Sequence, residues 1–339
     1  MLTAEQVKKT ARAFGADIVG IGPIERWEGA PLQMDPRQIM PEAKSVIAMA
    51  FRIMRGSLRG IEEGTHFSNY SSMGYGGLNW LYIPMVAINL AKFIEDHGHE
   101  AIPYGHLSPW RSVTGGGHLK HDYSRPPAEG RAAPDVMVHL RIAAFLCGLG
   151  EIGYSKLLLT PQFGPRQRVG IIITEAELEP DPIYDGPQLC DRCMACVRDC
   201  PGQAIPPDRT VKVQLAGREV EWADIDIKAC DVAFRGADPK QPLDGDPDMP
   251  QYAEVWGERW GRASWTPFNR KPANVYNYGQ AICGGRGCIR ACMVHLEERG
   301  VLSNRFEAPF RRRKPWTVDW TQAALPAEDP VLNWQGDHE

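Results

Sequence analysis

The stretch CDRCMACVRDCP, residues 190–201, carries the most informative pattern of this chain. Its cysteines stand at positions 190, 193, 196 and 200, and proline follows the last of them. Three thiolates at this spacing can surround one face of a cubane cluster, whereas the fourth ligates the other cluster in two-cluster ferredoxins. A tetrahedral zinc site gives no reason for such a spacing. The stretch therefore predicts two [4Fe–4S] clusters.

Two four-iron clusters need eight thiolates, and the sequence supplies four more cysteines downstream, at positions 230, 283, 288 and 292. The first cysteine group is assigned Cys190, Cys193, Cys196 and Cys292. The second cysteine group is assigned Cys200, Cys230, Cys283 and Cys288. The spacing leaves open which places Cys230 and Cys283 take in the second cluster. The ninth cysteine, Cys147, ends the apolar run AAFLC and is expected to be a small buried side chain.

Bulk composition narrows the classes of protein. The chain has 339 residues and a formal net charge of −4, and this balance argues against a nucleic-acid partner, which usually meets a basic protein. The sequence contains no uninterrupted apolar run of about 18 residues, so no membrane span is expected. The N-terminal residues have neither the pattern of a secretory signal nor a twin-arginine pair. These features predict a cytoplasmic protein.

The first fifty residues show an alternation of helix and strand. Thr3 and Gln6 have the spacing of a capping box, which predicts a helix that ends near Gly15. Residues 18–24 and 46–53 are apolar and rich in branched side chains, so both are expected to form strands. The order of these elements favours a mixed fold of helices and strands.

Further elements follow up to about residue 180. The segment 56–79 is rich in Gly, Ser and Tyr without a period, and it is expected to be a long loop. Pro84 begins an amphipathic helix that Gly98 stops. Residues 136–147 have a helical pattern, and residues 169–174 form a strongly β-branched strand.

The composition changes near residue 183, where cysteines, loops and acidic stretches replace the alternating pattern. This change predicts three parts: a cofactor and substrate domain at 1–183, a ferredoxin-like module at 184–300, and an extension at 301–339 that packs on the body. A bare two-cluster ferredoxin is much shorter than this chain. The preceding residues are therefore expected to bind a further cofactor and a substrate.

The run GLGEIGYSKLLLTPQFGPR, residues 148–166, resembles the segment before the clusters in corrinoid-dependent reductive dehalogenases. The strand VGIIIT at 169–174 and the cysteine pattern continue that resemblance. A looser resemblance connects the chain to epoxyqueuosine reductases, which also have a lone cysteine, here Cys230, between two cysteine groups. The resemblance implies an α+β fold: a nitroreductase-like cobalamin-binding domain followed by a ferredoxin-like module with two [4Fe–4S] clusters. It also implies base-off cobalamin without a protein ligand on cobalt.

The loop after the helix at 136–147 is the expected corrinoid contact, because its glycines let backbone approach a large planar ligand. The expected contacts are Gly148, Gly150, Gly153, Thr160, Phe163 and Gly164. In the resembling enzymes a tyrosine, helped by a Lys or Arg, delivers the proton. The first candidates for catalysis here are Tyr104, Tyr123 and Arg166. Further candidates are Tyr70, Tyr75, Tyr82 and Arg168.

The resemblance implies reductive dehalogenation of a small organohalide, with electrons from a ferredoxin or flavodoxin. Reduction of an epoxide, as in epoxyqueuosine reductases, remains the alternative reaction. A non-catalytic electron carrier or corrinoid-binding protein is the alternative of another class. Two family features have no counterpart here: the export signal of respiratory dehalogenases and the C-terminal tRNA-binding extension of epoxyqueuosine reductases.

Overall fold

The structure is a computed structural model of the chain. It describes residues 2–63, 65–66, 69–106, 113–114, 118–119, 126–134, 136–234 and 283–310. These residues form a mixture of helices and sheets, which confirms the mixed class expected from the sequence.

The α-helices are α1 (Ala4–Phe14), α2 (Arg55–Glu63), α3 (Ile83–Glu95), α4 (Leu140–Leu146), α5 (Ala195–Arg198), α6 (Ile227–Phe234) and α7 (Cys292–Glu298). Two wider helical segments of the π type are π1 (Tyr70–Tyr82) and π2 (Arg286–Ala291). The strands are β1 (Ile18–Pro23), β2 (Ser45–Arg52), β3 (Ala101–Tyr104), β4 (Val113–Thr114), β5 (His118–Leu119), β6 (Glu151–Ile152), β7 (Leu158–Leu159), β8 (Gln167–Thr174), β9 (Thr210–Leu215) and β10 (Arg218–Ala223).

The capping box at the start of α1 forms as the sequence predicts. The Gln6 backbone N–H donates to Thr3 Oγ1 at 3.2 Å, and the Thr3 N–H donates to Gln6 Oε1 at 3.0 Å. Gly15 ends the helix with a φ of 119°, a left-handed conformation that glycine adopts without strain. This short polar pattern thus fixes both ends of the first helix.

A four-stranded sheet in the order β1-β2-β8-β3 forms the centre of the fold, and every pair in it is antiparallel. Ile47 of β2 lies between Ile21 and Ile172, and all three side chains are fully buried. Helices α1 and α3 cover one face, and α4 covers the other. Because both faces are covered, β2 and β8 are apolar almost throughout rather than alternating.

The expectation of a long loop at 56–79 is wrong, because α2 and π1 occupy most of that segment. Two of its glycines, Gly60 and Gly74, allow close packing within helical segments. A Cβ on Gly60 would lie 2.1 Å from the His66 carbonyl oxygen, and one on Gly74 would lie 2.8 Å from the Tyr70 ring. Leu58 is fully buried in the core, so these helices gain their stability from tertiary packing rather than from helix propensity.

The helical stretch Tyr70–Glu95 is long and apolar enough to cross a membrane by length and composition alone, a test that core helices of soluble proteins also pass. Ile83, Leu90 and Ile94 of α3 pack into the core beneath the sheet. Met85 and Ile88 on the same helix are exposed. Core packing thus accounts for part of the apolar character of this stretch.

The cysteine-rich part contains the β9–β10 hairpin, α5, α6, π2 and α7. Trp222 of β10 is buried in the core cluster on the α4 face of the sheet. Gly287 of π2 lies against α5, where an added Cβ would approach the Cys196 carbonyl oxygen to 2.5 Å and the Cys200 nitrogen to 2.7 Å. This contact brings the two cysteine-bearing stretches of the sequence together.

Candidate functional site

The first cysteine group comes together from two distant parts of the chain. Cys190 and Cys193 precede α5, Cys196 lies within it, and Cys292 begins α7. Burial, followed by the charges of Cys190, Cys196 and Cys193, raises the pKa of Cys292 well above its ordinary value. These thiols are therefore close enough to one another to interact strongly.

The second cysteine group gathers in the same way. Burial raises the pKa of Cys283 to about 12, and the charges of Cys288, Cys230 and Cys200 act in the same direction. Cys288 also acts on Cys196 and on Cys292, so the two groups adjoin each other at this residue. The structure thus brings thiols from the two cysteine-bearing stretches close together, and the division of the eight ligands between two clusters stays a prediction.

Backbone N–H groups point at sulfur in both groups. Tyr154 N lies 3.3 Å from Cys190 Sγ, and Ala204 N lies 3.4 Å from Cys200 Sγ. Hydrogen bonds to cluster sulfurs are one of the means by which proteins set the potential of an iron–sulfur cluster. The geometry around the thiols is thus suited to metal-bound sulfur.

A cavity of about 470 Å³ opens beside the second cysteine group. All four thiols of that group line it, together with apolar side chains from α4, α6 and the loops around residues 204 and 225. Its positively charged and histidine lining residues are His106, His139, Arg141, Lys156 and Arg286. None of the described residues that line this cavity is a carboxylate.

Both histidines at the cavity are held in the neutral form. Burial, aided by the positive charge of nearby arginines, lowers the pKa of His106 and of His139 to about 4. His139 also caps α4, where its Nδ1 accepts a hydrogen bond from Ile142 N at 3.4 Å. His106 packs edge-on against Trp80, with ring centroids 5.1 Å apart. Two neutral imidazoles therefore face a site for which the sequence predicted no histidine ligand.

A buried hydrogen bond joins Tyr70 of π1 to Arg168 of β8. Arg168 Nη2 donates to Tyr70 Oη at 2.7 Å, and the guanidinium stacks over the ring of Tyr75 with its carbon 4.6 Å from the centroid. Burial raises the pKa of Tyr70 well above its ordinary value, against the opposing charge of Arg168. The Tyr70 hydroxyl is therefore protonated at neutral pH. The charges of Cys288 and Cys283 also act on it, so it lies near the second cysteine group.

Tyr104, a predicted catalytic residue, lines the cavity from the end of β3. Its hydroxyl accepts a hydrogen bond from Val138 N at 3.0 Å and lies 3.3 Å from the Val136 carbonyl oxygen. Burial raises the pKa of this hydroxyl. Tyr123, the second predicted tyrosine, lies outside the described residues.

Arg166 is placed in the packed interior and not among the residues that line the cavity. Its Nη1 donates to the Ile53 carbonyl oxygen at 2.6 Å, and its Nη2 donates to Asn304 Oδ1 at 2.7 Å. Only 1% of the residue is exposed. These contacts connect the end of β2 to the segment that follows α7.

The predicted corrinoid contacts at 148–164 all lie against the chain itself. A Cβ on Gly148 would meet the Pro182 carbonyl oxygen at 2.2 Å, and one on Gly150 would meet that of Leu159 at 1.9 Å. The corresponding Cβ atoms at the other two glycines would meet leucine side chains. Thr160 Oγ1 accepts from Phe163 N at 3.2 Å. The contacts present in this structure therefore explain the need for small residues here. The six predicted corrinoid contacts in this loop are Gly148, Gly150, Gly153, Thr160, Phe163 and Gly164.

A mixed set of ligand atoms lies at the outer side of the first cysteine group. Asp191, Cys193 and His295 each offer one atom within 4.8 Å of the others. His295 Nε2 lies 2.8 Å from Asp191 Oδ2, and the Cys193 N–H donates to Asp191 Oδ1 at 3.2 Å. Because this set shares Cys193 with the first group, one thiol cannot serve both a single ion and a cluster.

The sequence analysis did not select the five histidine and cationic residues that line the cavity: His106, His139, Arg141, Lys156 and Arg286. His139 and Arg141 stand at the start of α4. A histidine and an arginine at the start of an otherwise apolar helix are the signal that could have identified them. Lys156 has a φ of 61°, an uncommon conformation for a residue with a side chain. No local pattern distinguishes His106.

Comparisons with known proteins show two kinds of similar enzyme. The chain is 26% identical over 257 residues to a tetrachloroethene reductive dehalogenase of Dehalobacter restrictus, with 62% of this chain and 40% of that protein covered. It is 25% identical over 227 residues to an epoxyqueuosine reductase of Gloeobacter violaceus, with 60% and 61% covered. The chain is a relative of reductive dehalogenases and epoxyqueuosine reductases. These relatives are oxidoreductases, which supports a reductase role. No protein-family model matches the chain.

Among solved structures, the chain is similar to a catabolic reductive dehalogenase in complex with 3-bromo-4-hydroxybenzoic acid, at 20% identity and a TM-score of 0.48. That alignment covers 90% of this chain and 38% of the other. The chain spans about 40% of the length of the dehalogenases that it matches in sequence.

Proposed function

We propose that this chain is a corrinoid-dependent reductase that removes halide from a small organohalide, with electrons supplied through two [4Fe–4S] clusters. The observation that carries the proposal is the position of the second cysteine group, whose four thiols line the largely apolar cavity. A metal centre that carries electrons is thereby adjacent to space for a further cofactor and a substrate. The sequence relationship to reductive dehalogenases favours this chemistry.

The donor chemistry of the two cysteine groups fits iron–sulfur clusters. Each group supplies four thiols, and thiolate is the usual ligand of a [4Fe–4S] cluster. Without metal, burial and then repulsion from Cys190 and Cys193 raise the pKa of Cys196 to about 12, so this thiol stays protonated. Bound iron would offset that repulsion, because the negative thiolates would then be coordinated to positively charged metal. Cys190, Cys193, Cys196 and Cys292 would hold one cluster, and Cys200, Cys230, Cys283 and Cys288 would hold the other.

The cavity also has features that suit a corrinoid. Its wall is mainly apolar, and two buried nitrogens near it, His106 Nδ1 and Trp80 Nε1, have no hydrogen-bond partner among the described residues. The amide side chains of a corrin ring are suitable partners for such groups. A bound corrinoid would supply the reduced metal that breaks the carbon–halogen bond. The residues of the chain would exclude water and supply the proton.

Tyr104 is the proposed proton donor of the cavity. Tyr104 lines the cavity, and burial raises the pKa of its hydroxyl, so the hydroxyl holds its proton at neutral pH until a stronger base forms nearby. Transfer of that proton to the carbon that has lost halide completes the product. The Val138 N–H that donates to the Tyr104 oxygen stabilises the phenolate that remains. Tyr123 remains a prediction for this role, and Arg166 remains a prediction for stabilising negative charge during catalysis.

Reduction of an epoxide is the second candidate function. The chain spans 61% of the epoxyqueuosine reductase of Gloeobacter violaceus, against 40% of the dehalogenase of Dehalobacter restrictus. An oxirane needs the same elements, namely a strong reductant and an acid that protonates the leaving oxygen. The acidic net charge of −4 favours the organohalide, because a tRNA substrate gains much of its affinity from phosphate contacts with cations.

A comparison of two products tests the assignment. Protein loaded with iron, sulfide and hydroxocobalamin is reduced with a strong one-electron donor and given bromophenols, chloroalkanes or epoxyqueuosine-containing RNA. We expect halide release from at least one organohalide, and loss of that release in Tyr104→Phe with the bound corrinoid retained. Queuosine formation with no halide release would favour the second function. Bound corrinoid with neither product would favour a non-catalytic carrier. Ferredoxin and flavodoxin are the proposed natural donors.

A further inference from the structure

Positive charge lies close to the second cysteine group. Arg141 lines the same cavity as the four thiols of that group, and its Nη1 donates to the Lys156 carbonyl oxygen at 3.0 Å. Arg168 is half-buried, donates to Tyr70 Oη at 2.7 Å, and its charge acts on His106 and Arg141 of the cavity. The charges of both guanidiniums act on the thiol of Cys288. Two fixed cations thus lie within electrostatic reach of this group.

Neither of these arginines forms a salt bridge within the described part of the chain. Arg141 and Arg168 donate to neutral oxygens, and no described carboxylate lines the cavity that Arg141 faces. A buried cation without a partner anion is costly, so such groups normally accompany a negative charge. The negative charge present here is that of the cysteine thiolates and whatever they bind.

The first cysteine group has different surroundings. Glu151 accepts hydrogen bonds from the backbone N–H groups of Cys190 and of the preceding residue, which places a carboxylate directly beside this group. Arg192 is paired with Glu221, and Arg299 lies 3.5 Å from Asp191, so these cations are offset by anions.

One further cation of the first group, Arg198, donates to the Cys193 carbonyl oxygen at 2.8 Å, but its side chain is exposed. Solvent and salt screen an exposed charge far more than a buried one. The net field at the first group is therefore less positive than the field at the second.

We propose that Arg141 and Arg168 raise the reduction potential of the centre at the second cysteine group above that of the centre at the first. This inference rests on the two-cluster part of the proposed function. Reduction adds one negative charge to a cluster, and fixed positive charge in a poorly hydrated site stabilises that added charge. The two arginines therefore act through the cluster. The difference in potential that they create sets the direction of electron transfer from the first centre to the second.

The direction follows from the order of the potentials. One electron from an external low-potential one-electron reductant is held first at the first group, whose centre has the lower potential. It then passes to the second group, so that the first centre is oxidised and the second is reduced. No bond is made or broken and no proton moves in this step. The electron arrives beside the cavity.

A redox titration followed by EPR spectroscopy tests the inference on full-length protein loaded to eight irons and eight sulfides. We expect two midpoint potentials. Arg141→Gln should lower only the higher one, with about a tenfold fall in the ratio of reduced to oxidised centre at a fixed potential, which is about 59 mV for one electron. Arg141→Lys keeps the charge and should restore most of that loss. Arg12→Gln, an exposed change on α1, should alter neither potential.

Two results would overturn the inference. One concerns Arg141→Gln: a shift of the lower potential, an equal shift of both potentials, or no shift of either potential. The other is a loss of the higher-potential signal, rather than the lower, in Cys193→Ala, since that cysteine belongs to the first group. If Arg141→Gln fails to fold, Arg168→Gln gives the same comparison with the same expected direction. A preparation that binds only four irons would instead contradict the proposed function.

Discussion

Arg168 Nη2 donates a hydrogen bond to Tyr70 Oη at 2.7 Å, joining two residues 98 positions apart in the sequence. The pair connects π1 to the central strand β8 beneath the cavity. Hydrogen bonds to a charged group contribute about 1.5–3 kcal/mol to stability when the alternative is a buried cation without a partner. We therefore expect Tyr70→Phe to lower the free energy of unfolding by about 2 kcal/mol. Urea denaturation followed by circular dichroism measures this.

Tyr82→Phe is the matched control for that change. Tyr82 is 43% exposed, and its hydroxyl lies 3.5 Å from the Gly15 carbonyl oxygen, so its removal should cost less than about 0.5 kcal/mol. Equal losses in the two variants would show that the Tyr70–Arg168 contact contributes nothing specific.

Cys147 should be dispensable for metal binding. The residue is fully buried in the core, its Sγ donates to the Val46 carbonyl oxygen at 3.2 Å, and burial raises its pKa to about 12. Cys147→Ala should therefore keep the full iron content and lose about 1 kcal/mol of stability. Cys193→Ala, by contrast, should lose about half of the iron. Iron analysis of the purified variants decides, and iron loss in Cys147→Ala would refute the assignment of the eight ligands.

Gly287 should be required for both metal centres. A Cβ at this position would lie 2.5 Å from the Cys196 carbonyl oxygen and 2.7 Å from the Cys200 nitrogen, and these backbone atoms cannot move aside cheaply. Because each of those cysteines belongs to a different group, Gly287→Ala should reduce the iron retained after gel filtration at both. Gly56→Ala is the control, since an added Cβ there meets nothing within 4 Å. Equal iron retention would contradict this account of the contact.

His139 should make the protein sensitive to acid. Its folded-state pKa of about 4 lies below the ordinary value of 6.5, so the unfolded chain binds more protons between these values. Stability should therefore be fully present above pH 6.5 and fall as the pH decreases toward 4. The part due to this histidine is on the order of 2 kcal/mol.

His139→Asn tests whether His139 causes this acid sensitivity, because asparagine keeps the N-cap of α4 while it removes the titrating group. The difference in unfolding free energy between pH 7 and pH 5 should shrink in this variant. His97→Asn, on the exposed end of α3, should leave the difference unchanged. A full pH dependence in His139→Asn would assign the acid sensitivity to other groups.

Local patterns in the sequence predicted the elements that local interactions stabilise. The capping pair Thr3 and Gln6 and the stop at Gly98 depend on residues a few positions apart, so their geometry can be read from spacing. The β-branched run of β8 likewise predicted its strand. The segment 56–79 was misassigned because its small residues disfavour a helix locally, whereas tertiary contacts supply the stability.

The candidate site was only partly predictable for a similar reason. The spacing of the cysteines reflects the geometry of a cluster, and it selected cysteines that the fold brings close together. The cations near the second group come from α4, from β8 and from the residue before Gly287, which no sequence spacing connects. Arg166, predicted as a catalytic residue that stabilises negative charge, makes hydrogen bonds to the Ile53 carbonyl oxygen and to Asn304, which no sequence spacing connects to it.

The iron and acid-labile sulfide content of the anaerobically reconstituted protein tests the two-centre assignment on which the proposed function depends. Two groups of four cysteines, each brought together from stretches far apart in the sequence, predict about eight irons and eight sulfides per chain. A content of four irons, or a protein that binds zinc in place of iron and sulfide, would contradict the account.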